Sequence, residues 1–155
     1  MEVEKRLAVM NLKLPPAPQP VGAYVPAVAC GSLVYLAGQI PVREGKPVVV
    51  GKLGEDLTAD ESMEAVHVAT MNGLAALKAA VGDLDKVTRV VKLTGYIASA
   101  SAFTEQAAVL NHASKLLLAA FGEKGRHARV AVGVAELPLG VPIELEMIFE
   151  VERAR

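Results

Sequence analysis

The stretch from Arg129 to Glu150, RVAVGVAELPLGVPIELEMIFE, constrains the fold more than any other part of the chain. Val130, Val132 and Val134 alternate with Arg129, Ala131, Gly133 and Ala135. Further on, Val141, Ile143, Leu145, Met147 and Phe149 alternate with Pro142, Glu144, Glu146, Ile148 and Glu150. A period of two belongs to strands whose two faces meet different surroundings. The intervening Leu137-Pro138-Leu139-Gly140 has turn chemistry, so the pair reads as a hairpin. Burial sets its parity, because a one-residue slip would oppose one strand's apolar set to the other's polar set. The valines are therefore expected beside Ile143, Leu145 and Met147, with Arg129 beside Glu144, Glu146 and Ile148 on the second face. Ala131, Gly133 and Ala135 on that face leave room for a ligand or another backbone. It is the expected seat of function.

The rest of the chain supplies the other layers. Val3–Leu12 reads as a short helix that ends before Pro15, since the residue preceding a proline disfavours helix. Residues 1–20 then form a helix and a proline-rich arm over a single domain, 21–155. Tyr24–Ala29 and Ser32–Ala37 flank Cys30-Gly31 as a hairpin, and Val48–Val50 is a short valine run. Thr58-Ala59-Asp60-Glu61 is a capping box opening a helix that Gly82 ends. Val87–Ala98 is apolar and β-rich, a central strand. A second helix runs from about Ala102 to Phe121, with Phe103, Ala107, Leu110, Ser114, Leu117 and Phe121 inward, and Gly122 ends it. The order ββ(β)αβαββ places two helices on one face of a mixed sheet, an α+β architecture. The uncovered face is too apolar to be bare, and self-association is the simplest resolution.

Composition narrows the function classes. With 155 residues the chain is one ordinary domain, and 52% hydrophobic but only 4% aromatic content implies an aliphatic core. Sixteen basic against 17 acidic residues give no basic footprint for nucleic acid. Apolar runs are too short to span a membrane, and the acidic, amphipathic N-terminus is a poor signal peptide. One cysteine, Cys30, suits a reducing compartment. A cytoplasmic protein is the expectation. His67, His112 and His127 lack ligand spacing, so no metal site is expected. Gly51–Asp56 (GKLGED) lacks the Lys-Ser/Thr of a phosphate loop and reads as a plain loop.

The terminal stretch resembles the C-terminal signature of the YjgF/RidA family of reactive-intermediate (imine) deaminases, also known as endoribonuclease L-PSP-like proteins. Ala128-Arg129, Val132, Val134-Ala135, Leu137-Pro138 and Ile143-Glu144-Leu145-Glu146 follow that signature without a gap. Gly38-Gln39-Ile40-Pro41-Val42 and Val21-Gly22-Ala23-Tyr24-Val25 are similar to two further family segments, so the resemblance covers about Val21 to Glu150 and leaves out the arm. Val130 and Ala131 stand where family deaminases often carry Ser or Thr and then a cysteine or other small residue. Ala23 and His127 stand in place of prolines. These departures mark a divergent subgroup. The resemblance implies a chorismate-mutase-like fold assembling as a homotrimer with clefts between subunits.

Read from the residues alone, Arg129 is either a bidentate carboxylate binder or a structural partner of Glu144 or Glu146 across the strands. The resemblance favours the first, since the family's arginine at this place holds the substrate carboxylate. Two carboxylates on one strand face are ordinarily exposed alternation, but partial burial would raise one pKa and make a usable base. By resemblance Glu144 orients the attacking water and Glu146 is structural. Tyr24 and Asn111 would line the cleft, and the Ala131 and Gly38 backbones would complete the cradle. The implied activity is cofactor-free hydrolysis of short 2-imino or enamine acids to 2-keto acids and ammonia. The alternatives are a non-catalytic trimer that binds a small carboxylate as a regulator, and an endoribonuclease or translation inhibitor. The last is disfavoured by the balanced charge and the few aromatics, because single-stranded RNA usually needs a basic groove with stacking platforms.

Overall fold

The computed structural model describes residues 1–152. In chain order the elements are α1 (Glu2–Val9), β1 (Ala27–Cys30), β2 (Leu33–Leu36), β3 (Val42–Arg43), β4 (Lys46–Pro47), α2 (Met63–Val81), β5 (Val87–Ala98), α3 (Gln106–Phe121), β6 (Ala128–Val134) and β7 (Ile143–Val151). Five strands form one mixed sheet in the order β1-β2-β7-β5-β6, with β5 and β6 parallel and the other pairs antiparallel. The helices lie against one face. α2 packs on β7 and β2, α3 packs on β5 and β6, and α1 packs against α3. Among the described residues no helix is long and apolar enough to cross a membrane.

The core is aliphatic, as the composition requires. Leu93 and Ile97 of β5 and Ile143, Leu145 and Met147 of β7 are fully buried beneath Leu74 and Leu77 of α2 and Leu110 and Leu117 of α3. Close approach of α3 depends on Gly95 at the centre of β5, where a Cβ would fall 2.6 Å from Leu110 Cδ1. Val3 and Leu7 of α1 join the same core.

Several expectations are met. β5 has the expected bounds, Gly31 makes the first hairpin turn at φ 64°, and Gly82 and Gly122 end α2 and α3. The capping box also forms. Thr58 N–H donates to Glu61 Oε2 at 2.7 Å, and Glu61 N–H donates to Thr58 Oγ1 at 3.2 Å. It closes a turn ahead of α2, whose regular helix starts at Met63.

Others are corrected. The 129–150 stretch is not a hairpin, because β5 lies between β6 and β7. Alternation fixes which residues share a face but not which strand lies alongside. β5 is apolar enough to take the middle place, and the Leu137–Gly140 segment crosses its end as a short 3₁₀ turn with Leu139 at φ 58°. α1 stops at Val9, short of Leu12, and α3 starts at Gln106 after Ala102 adopts φ 67°. Ala107 is exposed on α3. Val48–Val50 is not a strand. The two-residue strands β3 and β4 before it form a small separate hairpin.

Candidate functional site

The parity of β6 is the opposite of the expected one. In the register, Leu93 of β5 stands between Arg129 and Met147, whereas Thr94 stands between Val130 and Glu146 and Tyr96 between Val132 and Glu144. Directly opposed residues of a ladder share a face. Arg129, Ala131 and Gly133 therefore face the helices. Val130 and Val132 lie on the open face with both glutamates and are 40% and 38% exposed. Two local facts explain the inversion. α3 supplies acceptors for the guanidinium, and it lies too close to β6 for branched side chains: a Cβ on Gly133 would fall 2.9 Å from Gln106 Nε2.

Arg129 Nη1 donates to Asn111 Oδ1 at 2.7 Å and to Ser114 Oγ at 3.2 Å. Its Nη2 donates to the Ala107 carbonyl at 3.2 Å. Ala107, Asn111 and Ser114 are spaced by four and three, so they form one stripe of α3. The cross-strand pairing of Arg129 with Glu144 or Glu146 is not formed, and none of the ion pairs among the described residues includes it. Three of a guanidinium's five donors are committed to α3. The remaining two are the number a carboxylate takes from arginine.

Ser114 extends the cluster. Its Oγ lies 2.9 Å from His127 Nε2, and His127 Nδ1 lies 2.6 Å from the Gly125 carbonyl.

The second cluster is on the open face. Glu144 is half-buried, and burial, helped by the negative charge of Glu146, pushes its carboxyl pKa up. Glu146 accepts a 2.8 Å hydrogen bond from the Tyr96 hydroxyl, which pushes the phenol pKa up. Gly38 abuts Glu144 so closely that any side chain there would collide with the carboxylate. The following residue, Gln39, is buried and pairs with Leu145 of β7 through reciprocal backbone bonds of 2.8 and 2.9 Å. The GQIPV motif thus holds Gly38 against β7.

Of the expected site residues, Arg129, Asn111 and Ala131 gather at α3 and the edge strand β6, and Gly38 and Glu144 gather across the sheet. Tyr24 belongs to neither group. It is 52% exposed just before β1, at the opposite edge of the sheet from β6. Surface hollows of about 440 Å³ beside α1 and Lys78 and about 310 Å³ beside Gly140 include none of these residues. Sequence reasoning assigned no site role to Ser114, His127 or Tyr96. The available signals were a serine interrupting an apolar helix stripe, and a histidine where the family pattern has proline.

Residues 4–150 match a family model described as "YjgF/chorismate_mutase-like, putative endoribonuclease". The match therefore takes in most of the N-terminal segment that the motif resemblance left out. "Protein TCP17" of Trypanosoma cruzi is 42% identical over 149 residues, 96% of this chain and 93% of that one. The 2-iminobutanoate/2-iminopropanoate deaminase of Salmonella typhimurium is 35% identical over 132 residues, 85% of this chain and 90% of that one. A Shewanella oneidensis crystal structure described as "a putative endoribonuclease" superposes with a TM-score of 0.93 at 34% identity, covering 97% of this chain and all of that one. A mixed sheet with its helices on one face is thus the chorismate-mutase-like α+β fold, and this chain is a member of the YjgF/RidA family.

Proposed function

We propose that the protein hydrolyses short 2-imino acids, or their enamine tautomers, to 2-keto acids and ammonia at sites completed between the subunits of a homotrimer. The observation that carries this reading is the division of the chemistry between the two faces of one sheet. Arg129 presents its uncommitted donors on the helix side of an edge strand. Glu144 stands on the open side with a raised pKa. A single chain cannot bring them onto one small substrate, whereas a neighbour packed on the open face can present its Glu144, Gly38 and Tyr24 to the Arg129 edge. The exposed Val28, Tyr35, Val130 and Val132 make that face apolar enough to bury.

In this mechanism Arg129 takes the substrate carboxylate bidentately, Asn111 keeps the guanidinium aimed, and the Ala131 and Gly38 backbones line the cradle. Glu144 accepts a proton from water as the oxygen attacks C2 of the protonated imine, giving a carbinolamine. It then returns that proton to nitrogen. The C–N bond breaks with its electron pair leaving on ammonia, while the Glu144 carboxylate takes the hydroxyl proton as the C2 carbonyl forms and passes it on to the departing ammonia, giving ammonium. A positioned base contributes roughly 10² to 10⁴-fold. The raised pKa makes Glu144 a stronger base than an ordinary carboxylate.

The test is keto-acid release from 2-iminopropanoate generated in situ. Wild type is expected to exceed the spontaneous rate, and Arg129→Ala to abolish the acceleration. Glu144→Gln is expected to lose turnover by at least about 100-fold while still binding pyruvate. Full turnover in Glu144→Gln would remove the base from the mechanism. Absence of turnover in wild type, with pyruvate binding retained, would favour a carboxylate-binding regulator.

A further inference from the structure

The hydrogen bonds around Arg129 have a direction. The Gly125 carbonyl can only accept, so the His127 Nδ1 that lies 2.6 Å from it must carry a proton. In a neutral ring Nε2 is then bare and must accept, and the donor 2.9 Å away is the Ser114 hydroxyl. Having spent its only proton there, Ser114 Oγ is left with lone pairs facing Arg129 Nη1 at 3.2 Å. With a neutral ring, every member has a partner in one proton order only, running from Arg129 through Ser114 and His127 to Gly125. The end of the chain is anchored. Gly125 is buried, and a Cβ there would fall 2.5 Å from the Leu117 carbonyl, so the turn at 122–125 lies directly on the α3 backbone.

We propose that Ser114 and His127 are positioning residues that lock the Arg129 guanidinium in its carboxylate-binding orientation. This deepens the reading of Arg129 as the carboxylate clamp and rests on it. Asn111 takes one hydrogen of Nη1 and the Ala107 carbonyl one of Nη2. Ser114, pinned by the His127 ring, takes the second hydrogen of Nη1 and stops rotation about the side chain's last bonds. The two remaining donors then face outward at no further ordering cost when a carboxylate arrives. His127 also ties the start of β6 to the turn before it, so the strand that carries Arg129 is set by the same bonds.

The experiment uses the full chain labelled with ¹⁵N, at pH 8. The His127 ring is expected as the Nδ1–H tautomer, with Nε2 unprotonated. Arg129 is expected to show separate, slowly exchanging Nη signals. Pyruvate is the ligand probe. His127→Phe keeps the ring volume without an acceptor, and Ser114→Ala removes the middle link. Both are expected to weaken pyruvate binding and raise KM about three- to tenfold, with kcat little changed, because each removes one hydrogen bond that orders the free guanidinium and leaves that ordering to occur on binding. His127→Gln, whose amide oxygen can accept from Ser114, is expected to restore most of the affinity, which a role in bulk packing alone would not produce.

An Nε2–H ring in wild type overturns the proposal. So do folded Ser114→Ala and His127→Phe proteins with unchanged pyruvate affinity and unchanged Arg129 signals. Should His127→Phe not fold, Ser114→Ala and His127→Gln decide alone. If wild type binds no pyruvate and hydrolyses no imine, the functional reading fails separately, and the tautomer together with the Arg129 signals in Ser114→Ala still decides whether the relay holds the guanidinium.

Discussion

Arg129 makes three hydrogen bonds to α3, and this makes its charge alone insufficient. Lysine offers a point charge with three donors on one atom, so it cannot hold Asn111, Ser114 and the Ala107 carbonyl while presenting a fork. Arg129→Lys is therefore expected to lose pyruvate affinity by about tenfold or more, measured by calorimetry, although the net charge is unchanged. Glu144 gives a pH prediction. Burial raises its pKa above the usual 4.5, and the adjacent Glu146 adds to the shift. In the proposed mechanism the base works when ionised, so kcat/KM should fall as pH drops through a midpoint above 4.5. Glu146→Gln removes the smaller cause and should move that midpoint down without restoring the ordinary value. A profile that does not move would assign the limb to another group. The candidates Arg129 and Glu144 were legible as residue types in a strand pattern, but their relation to one another was not. Periodicity distinguishes two faces without saying that a helix will offer an arginine better partners than valine would find there.

At the scale of elements, α1 shows how a short helix is fixed from outside. It has no side-chain cap of its own. Asp85 supplies one, accepting from the Glu2 and Val3 amides at 2.6 and 2.9 Å and from the Met1 amine. The hydrogen bond from that amine, with the Val3 and Glu2 amides, pulls the Asp85 carboxyl down to about 2. A depressed carboxylate contributes stability that is present above its unfolded pKa and lost as pH falls through the folded one, here between about 4 and 2. Asp85→Ala is expected to cost about 1 kcal/mol in urea unfolding at neutral pH, and the difference from wild type should vanish in that acid window. An undiminished difference below pH 2 would assign the cost to packing. Helix ends were readable where glycine marks them, at Gly82 and Gly122, whereas the capping box Thr58–Glu61 marked a turn ahead of α2 rather than its start. Asp85 was not readable, because it lies 82 residues or more from the amides it caps.

For the whole molecule, the open sheet face is the surface on which the proposed assembly rests. Val28, Tyr35, Val130 and Val132 are exposed around Glu144 and Glu146 in one chain. The proposed trimer should run at three times the 16.2 kDa chain mass in light scattering. Val132→Asp should give monomers that keep the far-ultraviolet circular dichroism of wild type but lose imine hydrolysis; full activity in a monomer would place the whole site within one chain. The main strands and helices, their glycine stops, the mixed α+β architecture and the residue types of the candidate site were readable along the chain, because periodicity, capping and turn chemistry act over a few neighbouring residues. Folding in space settled the rest: β5 separates β6 from β7, Arg129 faces α3 while the valines face outward, and Ser114, bonded to His127, accepts from the arginine. Those outcomes depend on which elements compete for the same space and the same hydrogen-bond partners, and that competition takes place between residues far apart in the chain.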